Sequence, residues 1–146
     1  MSGQRSVDVR QEGIVEYKIA FELMKELQQL RIADKIPDTI LIMEHPEIVT
    51  VGPRARNDGI TAPPGYHTFP VDRGGGLTWH GSGQVVCYPI FKWNLAGENS
   101  VTEIINKIEQ WVIQALKSLN IPARRDDRMQ GVWVGENKIC SIGLSF

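Results

Sequence analysis

The sequence predicts an α+β fold, a mixed and largely antiparallel sheet flanked by helices. Three observations predict it. Two segments, near residues 15–31 and 100–119, carry apolar side chains at helical spacing. Short β-branched runs sit between clusters of Gly, Pro, Asn and Asp. The order reads helix, several strands, helix, hairpin, which is not the strict alternation of a parallel α/β sheet.

Taken in order, Tyr17, Ala20, Phe21, Met24, Leu27 and Leu30 line one face of the first helix, with Lys18, Glu22, Lys25, Glu26 and Gln29 opposite. Pro37-Asp38 breaks the chain. Thr39 to Met43 reads as a buried strand, and His45 before Pro46 as a turn residue. Ile48 to Gly52 is a second short strand, Pro53 to Gly65 a loop, and Thr68 to Asp72 a weak strand. Arg73 to Gly83 (RGGGLTWHGSG) reads as a glycine-dense loop, followed by a strand from Gln84 to Ile90. Ser100, with Glu103 three positions on, suits the capping box of a second helix ending near Asn120-Ile121-Pro122. Gly131 to Val134 and Lys138 to Leu144 flank Gly135-Glu136-Asn137 as a hairpin.

Composition narrows the function classes. The 146 residues suit one domain, 42% of them are hydrophobic, and 16 Lys+Arg offset 17 Asp+Glu to a net −1. No apolar run approaches the roughly eighteen residues of a membrane span. The stretch MSGQRSVDVRQEG has no apolar core of a secretory signal. Two cysteines make no disulfide framework, so a cytoplasmic location is expected. The near-neutral charge disfavours a basic nucleic-acid module. Arg124 to Arg128 nets only +1 and reads as a solvated turn.

The informative stretch is Arg73 to Gln84. Gly74, Gly75 and Gly76 let the backbone come close to a ligand, and their N–H groups can cup an oxyanion. Arg73 brings a planar donor fork, Thr78 a hydroxyl and His80 an ionisable ring. The alternative is a flexible loop with an arginine on its rim. No Gly-Lys-Ser/Thr follows, so this is not a P-loop, and the dinucleotide fingerprint fails on spacing. Lys138 enters an otherwise apolar strand, where partial desolvation would lower its pKa and make it a usable base; the alternative is a protective edge-strand lysine. Cys87 and Cys140 lie in apolar contexts typical of inert core thiols. The four tryptophans read as core or groove lining. His45, His67 and His80 share no ligand spacing with each other or with the cysteines, so no metal site is expected.

Three segments together resemble one family: Glu44 to Gly52 (EHPEIVTVG), Arg73 to Gln84 (RGGGLTWHGSGQ), and Gly131-Val132-Trp133 followed by Lys138 to Gly143 (KICSIG). They resemble the octanoyltransferase of lipoate biosynthesis, the lipoate-protein ligase B family, in the family's order and over essentially the whole chain. The resemblance implies a fold similar to the biotin and lipoate protein ligase catalytic core. It implies transfer of an octanoyl group from octanoyl-acyl carrier protein to a lysine of a lipoyl domain through a cysteine thioester. The implied acceptors are the lipoyl domains of 2-oxoacid dehydrogenase complexes and the glycine cleavage H protein. No cofactor, metal, nucleic acid or membrane is implied.

Carried over by position, Arg73, Gly74, Gly75, Gly76, Leu77, Thr78, Trp79 and His80 correspond to the acyl-substrate loop. Ser141, Ile142 and Gly143 correspond to a second substrate segment, and Lys138 to the catalytic lysine. In the family the nucleophilic cysteine lies further C-terminal than Phe146. The expectation is therefore a catalytic domain over residues 1–146 that is C-terminally truncated and turns over poorly, with Cys140 not its nucleophile. The alternative expectation is a non-catalytic subunit of a split enzyme that binds the acyl carrier or lipoyl domain.

Overall fold

The first element among the described residues is a strand where the hydropathy pattern predicts none. Strand β1 (Val7–Ile14) is mostly exposed and rich in charge, so it carries no period-2 apolar signal. It is held by a parallel ladder to β2 (Asp38–Glu44), from Val7↔Asp38 to Ile14↔Glu44, with an irregularity between Gln11 and Gly13. Parallel neighbours need a crossover, and helix α1 (Tyr17–Ile32) supplies it. The apolar stripe of α1 turns Ala20 and Leu27 onto Leu41 and Met43 of β2, with Leu23, Met24, Leu30 and Ile36 around them.

A computed structural model describes residues 4–145 in two compact units, residues 5–92 with 144–145, and residues 93–143 with residue 4. After β2, the first unit continues through β3 (Ile48–Val51), α2 (Pro53–Asn57), β4 (Thr68–Pro70), β5 (Leu77–His80) and β6 (Val86–Ile90). They form two mixed three-stranded sheets, β1-β2-β6 and β4-β3-β5. Asp38 knots the first unit together. Its buried carboxylate takes hydrogen bonds from Arg5, from Arg31 Nε at 2.6 Å and from the Lys92 N–H at 2.9 Å.

The second unit holds helix α3 (Val101–Lys117) and the antiparallel sheet β7 (Arg124–Asp126), β8 (Met129–Val134), β9 (Asn137–Cys140). The expected cap is present: Ser100 Oγ accepts the Glu103 N–H at 3.2 Å, and Glu103 reaches back to the Asn99 N–H at 3.0 Å. Glu109, buried on α3, accepts from Arg125 Nε at 2.9 Å and from the Gly131 N–H at 2.8 Å.

Five sequence expectations are corrected. Pro53 starts a short helix inside the expected loop, its fixed φ suiting the first helical position. The glycine-dense segment contains β5, because Leu77 to His80 find backbone partners on β3. Arg124 to Asp126 form a strand, not a solvated turn, with Arg125 drawn to Glu109 and Arg128 to Asp126. The last strand ends at Cys140, so Ser141, Ile142 and Gly143 lie beyond the ladder. Cys87 is exposed, since it points away from the core on edge strand β6.

Candidate functional site

The loop after β4 is shaped by Arg73. Its guanidinium turns back on its own segment. Nη2 donates to Thr50 Oγ1 at 2.7 Å, Thr78 Oγ1 at 2.9 Å and the Gly76 carbonyl at 3.2 Å, and Nη1 to the Gly74 carbonyl at 3.1 Å. All of these acceptors are neutral. Burial lowers the Arg73 pKa, but a guanidinium remains charged at neutral pH. Arg73 is thus a pin for the glycine run, with most of its fork already engaged.

The backbone completes the clamp. The Gly52 N–H donates to Gly76 O at 2.9 Å, Arg54 N–H to Gly75 O at 3.2 Å and Gly74 N–H to Leu144 O at 3.0 Å. The approach at Gly52 is so close that a Cβ there would stand 2.3 Å from the Gly75 carbonyl oxygen and 2.9 Å from Arg73 Nη1. Among the described residues, the N–H groups of Gly75 and Gly76 find no acceptor.

Strand β5 pairs antiparallel with β3, Thr78 against Thr50 and His80 against Ile48. Alternation along the strand sorts the expected site residues onto two faces. Thr78 and His80 share the face that meets Arg73 and Tyr17. Leu77 and Trp79 take the other face. Trp79 is 44% exposed, donates from Nε1 to Glu47 at 3.0 Å, and covers Gly81 so closely that a Cβ there would meet its ring at 2.3 Å.

Behind His80 lies a cluster whose roles the sequence does not reveal. Tyr17 stacks on His80 (centroids 6.0 Å, 21°) and meets the edge of His45 at 5.1 Å. His45 stands in the connection between β2 and β3, as its place before Pro46 suggests, and is fully buried there. Its Nδ1 lies 2.7 Å from the Val15 carbonyl, which only accepts, so the proton sits on Nδ1. Nε2 then accepts from the Tyr88 hydroxyl at 2.6 Å. Burial pushes the Tyr88 pKa strongly up, which keeps that hydroxyl a donor. Burial raises Tyr17 as well, against the lowering effect of Arg73. His80 is lowered, first by desolvation and then by His45 and Arg73, against the opposing hydrogen bond to Gln84. Gln84 Nε2 donates to Trp79 O at 3.1 Å, so its Oε1 accepts from His80 Nδ1 at 2.7 Å. A neutral His80 therefore keeps its lone pair on Nε2. Tyr17 and Tyr88 could have been suspected only as polar-tipped aromatics inside apolar stripes.

In the second unit, Lys138 pairs with Trp133 across the β8–β9 ladder and is exposed, so the expected partial desolvation is not observed. The register shifts between Val132 and Trp133, which interrupts the regular alternation from Lys138 to Cys140. Cys140 Sγ lies 3.8 Å from the Ser141 carbonyl. Ile142 is half-buried, with its carbonyl 3.1 Å from Gln130 Nε2, while Ser141 and Gly143 are exposed. The structure thus groups Arg73 to His80 in the first unit, and Lys138 with Ser141 to Gly143 in the second. Among the described residues no three His, Cys, Asp or Glu side chains gather to hold a metal ion. No helix among them is long and apolar enough to cross a membrane.

Comparison with known proteins places this arrangement. A family model described as the lipoyl protein ligase A/B catalytic domain matches residues 16–146. The octanoyltransferase of Syntrophobacter fumaroxidans is 37% identical over 139 residues, covering 91% of this chain and 60% of that protein. The octanoyltransferase of Corynebacterium diphtheriae is 40% identical over 145 residues, covering 94% of this chain and 57% of that protein. The chain thus spans about three fifths of the length of these relatives. Among solved structures, a bi-partite lipoate protein ligase from Thermoplasma acidophilum superposes with a TM-score of 0.57 at 14% identity, over 91% of this chain and 53% of that one. A lipoate-protein ligase A bound with ATP gives 0.54 at 15% identity, over 94% and 59%. These structures share its fold. With the family model covering nearly the whole chain and relatives at this level of identity, the chain belongs to the lipoyl protein ligase A/B catalytic domain family.

Proposed function

We propose that residues 1–146 belong to the catalytic domain of an octanoyltransferase. It moves an octanoyl group from octanoyl-acyl carrier protein to a lysine of a lipoyl domain through a cysteine thioester, in the cytoplasm. The observation that carries this reading is the glycine loop pinned by Arg73 through Thr50 and Thr78, with the Gly75 and Gly76 amides left open. The octanoyltransferase relatives supply the reaction class. The loop residues Arg73 to His80 and the segment Ser141 to Gly143 bind the acyl substrate. Acceptors are lipoyl domains of 2-oxoacid dehydrogenase complexes and the glycine cleavage H protein.

Each step has a physical basis. The Gly75 and Gly76 amides stabilise the oxyanion of the tetrahedral intermediate, at about 3 kcal/mol per donor in well-studied enzymes. Burial of the acyl chain against apolar protein would contribute about 0.8 kcal/mol per methylene, roughly 5 kcal/mol for six. Lys138 acts at the thioester step, favouring thiolate by its charge or, when neutral, taking a proton from the incoming amine. The nucleophile is assigned to neither Cys87 nor Cys140. Surrounding protein pushes the Cys87 thiol pKa up, the wrong direction for a nucleophile. Cys140 sits past the register shift, where regular alternation no longer carries it to the Lys138 side.

The test is intact mass after incubation with octanoyl-acyl carrier protein, before and after hydroxylamine. No adduct on the folded chain, together with saturable carrier binding that Thr78→Ala weakens, is the expected result. A hydroxylamine-labile octanoyl adduct on Cys87 or Cys140 would overturn the assignment of the nucleophile. Absence of any carrier or lipoyl-domain binding would overturn the function itself.

A further inference from the structure

Lys138 is exposed, and among the described residues no carboxylate or carbonyl holds its ammonium. Its placement must come from something other than a polar partner. The place is marked by Gly131. A Cβ built on Gly131 would stand 2.5 Å from Lys138 Cε, 3.4 Å from Lys138 Nζ and 2.5 Å from the Cys140 carbonyl oxygen. The far end of the lysine stem therefore lies directly over the bare Cα of this glycine. Two further observations show that the gap is fixed. Gly131 has φ +118°, a conformation that L side chains rarely adopt. Its N–H is held at 2.8 Å by Oε2 of Glu109, a buried carboxylate whose other oxygen takes Arg125 Nε at 2.9 Å. Helix α3 thus anchors the glycine through its backbone, and the glycine receives the lysine.

We propose that Gly131 is the positioning residue for Lys138: the space left by its missing side chain is the slot that holds the lysine stem and fixes where its ammonium can reach. A lysine on an open strand samples many rotamers. Seated over Gly131, with its stem against backbone, it samples few. The role in transfer rests on the reading of Lys138 as the catalytic lysine; the seating itself does not.

The experiment separates the two. In the full chain labelled with 13C at lysine Cε, the Lys138 signal is assigned by its loss in Lys138→Arg. A nuclear Overhauser cross-peak between the Gly131 Hα and Lys138 Hε protons is expected in the unmodified chain, and its absence overturns the proposal. In Gly131→Ala the Lys138 signal is expected to move while those of Lys18, Lys25 and Lys117 stay. An unmoved Lys138 signal in a folded variant overturns the proposal. Should Gly131→Ala fail to fold, the cross-peak in the unmodified chain decides alone. Where octanoyl transfer is measurable, Gly131→Ala is expected to lower kcat at least tenfold with KM for octanoyl-acyl carrier protein within twofold. Added to Lys138→Ala it is expected to cause no further loss, and a full additional tenfold loss would show that Gly131 acts elsewhere. An inactive chain with an intact cross-peak would support the seating, and failure to bind octanoyl-acyl carrier protein, not inactivity, would count against the proposed function.

Discussion

Replacing Gly52 by alanine should damage the glycine loop through backbone contact alone. The backbone there, φ −79° and ψ 170°, is comfortable for alanine, so conformational strain is not the cause. The cost is contact: the new methyl would lie 2.3 Å from Gly75 O and 2.9 Å from Gly75 C, both backbone atoms that cannot rotate away. Overpacking of this kind costs about 1–3 kcal/mol, and the upper end applies when the obstacle is backbone. Parting the segments also weakens the Gly52 to Gly76 hydrogen bond, for about 1 kcal/mol more. Alanine returns roughly 0.4–1 kcal/mol by stiffening the unfolded chain. The net is a loss of about 3 kcal/mol. Urea unfolding followed by circular dichroism reads it as a lower midpoint at unchanged slope. Gly59→Ala is the control, because Gly59 has φ +69° with nothing within 4 Å of a Cβ; its cost is backbone strain alone, about 1–2 kcal/mol. A loss below about 0.5 kcal/mol at Gly52, or a smaller loss than at Gly59, would refute the close-approach argument.

Three other outcomes follow from the same geometry. Gly81→Ala should displace the Trp79 ring, which sits 2.3 Å from the new methyl, and break its bond to Glu47; a tryptophan emission maximum identical to that of the unmodified chain would contradict this. Glu109→Ala should cost about 3 kcal/mol in urea unfolding, since it strips both Arg125 and the Gly131 N–H of their buried acceptor; a loss no larger than for an exposed glutamate such as Glu136 would show the pair to be dispensable. Acid should unfold the chain in two stages. His80 has a lowered pKa, so its share of stability is present above the unfolded value of about 6.5 and is lost as pH falls below it. Burial alone would raise Asp38, but Arg31, the Lys92 N–H and Arg5 hold it below the usual carboxylate range. Its share is present above about pH 4 and is lost as pH falls below that. Melting temperature against pH should lose the first limb in His80→Gln and the second in Asp38→Asn, and unchanged limbs would remove these groups as the cause.

How much of this the sequence discloses depends on whether the cause is local. Helices α1 and α3 are legible because an apolar stripe repeats at 3.6 residues and Ser100 marks a start. The glycine segment is legible as a site through composition alone. That Leu77 to His80 form a strand is not, since their partners on β3 lie about thirty residues back and Thr-Trp-His shows no clear alternation. The roles of His45 and Tyr88 are illegible for the same reason: a histidine before proline has the signature of a turn, and only the tertiary fold closes it onto a tyrosine. Exposure of Cys87 and Lys138 depends on which face of a strand meets the core, which short apolar runs leave open.

The buried His45 ring also bears on how the molecule opens. Its two bonds reach Val15 and Tyr88, separated from it by 30 and 43 positions in the chain. The first needs the ends of β1 and β2 together and the second the end of β2 and β6, so each carries a loop-closure cost. Once formed, they penalise partial opening: withdrawing any one segment strands a ring nitrogen, a carbonyl or a hydroxyl in surroundings without water. The three segments are thereby joined in one cooperative unit. His80 rests against that unit through Tyr17 and His45. Amide exchange around His80 should follow the slow breathing of the β1-β2-β6 sheet, while the exposed turn at Gly59 exchanges freely.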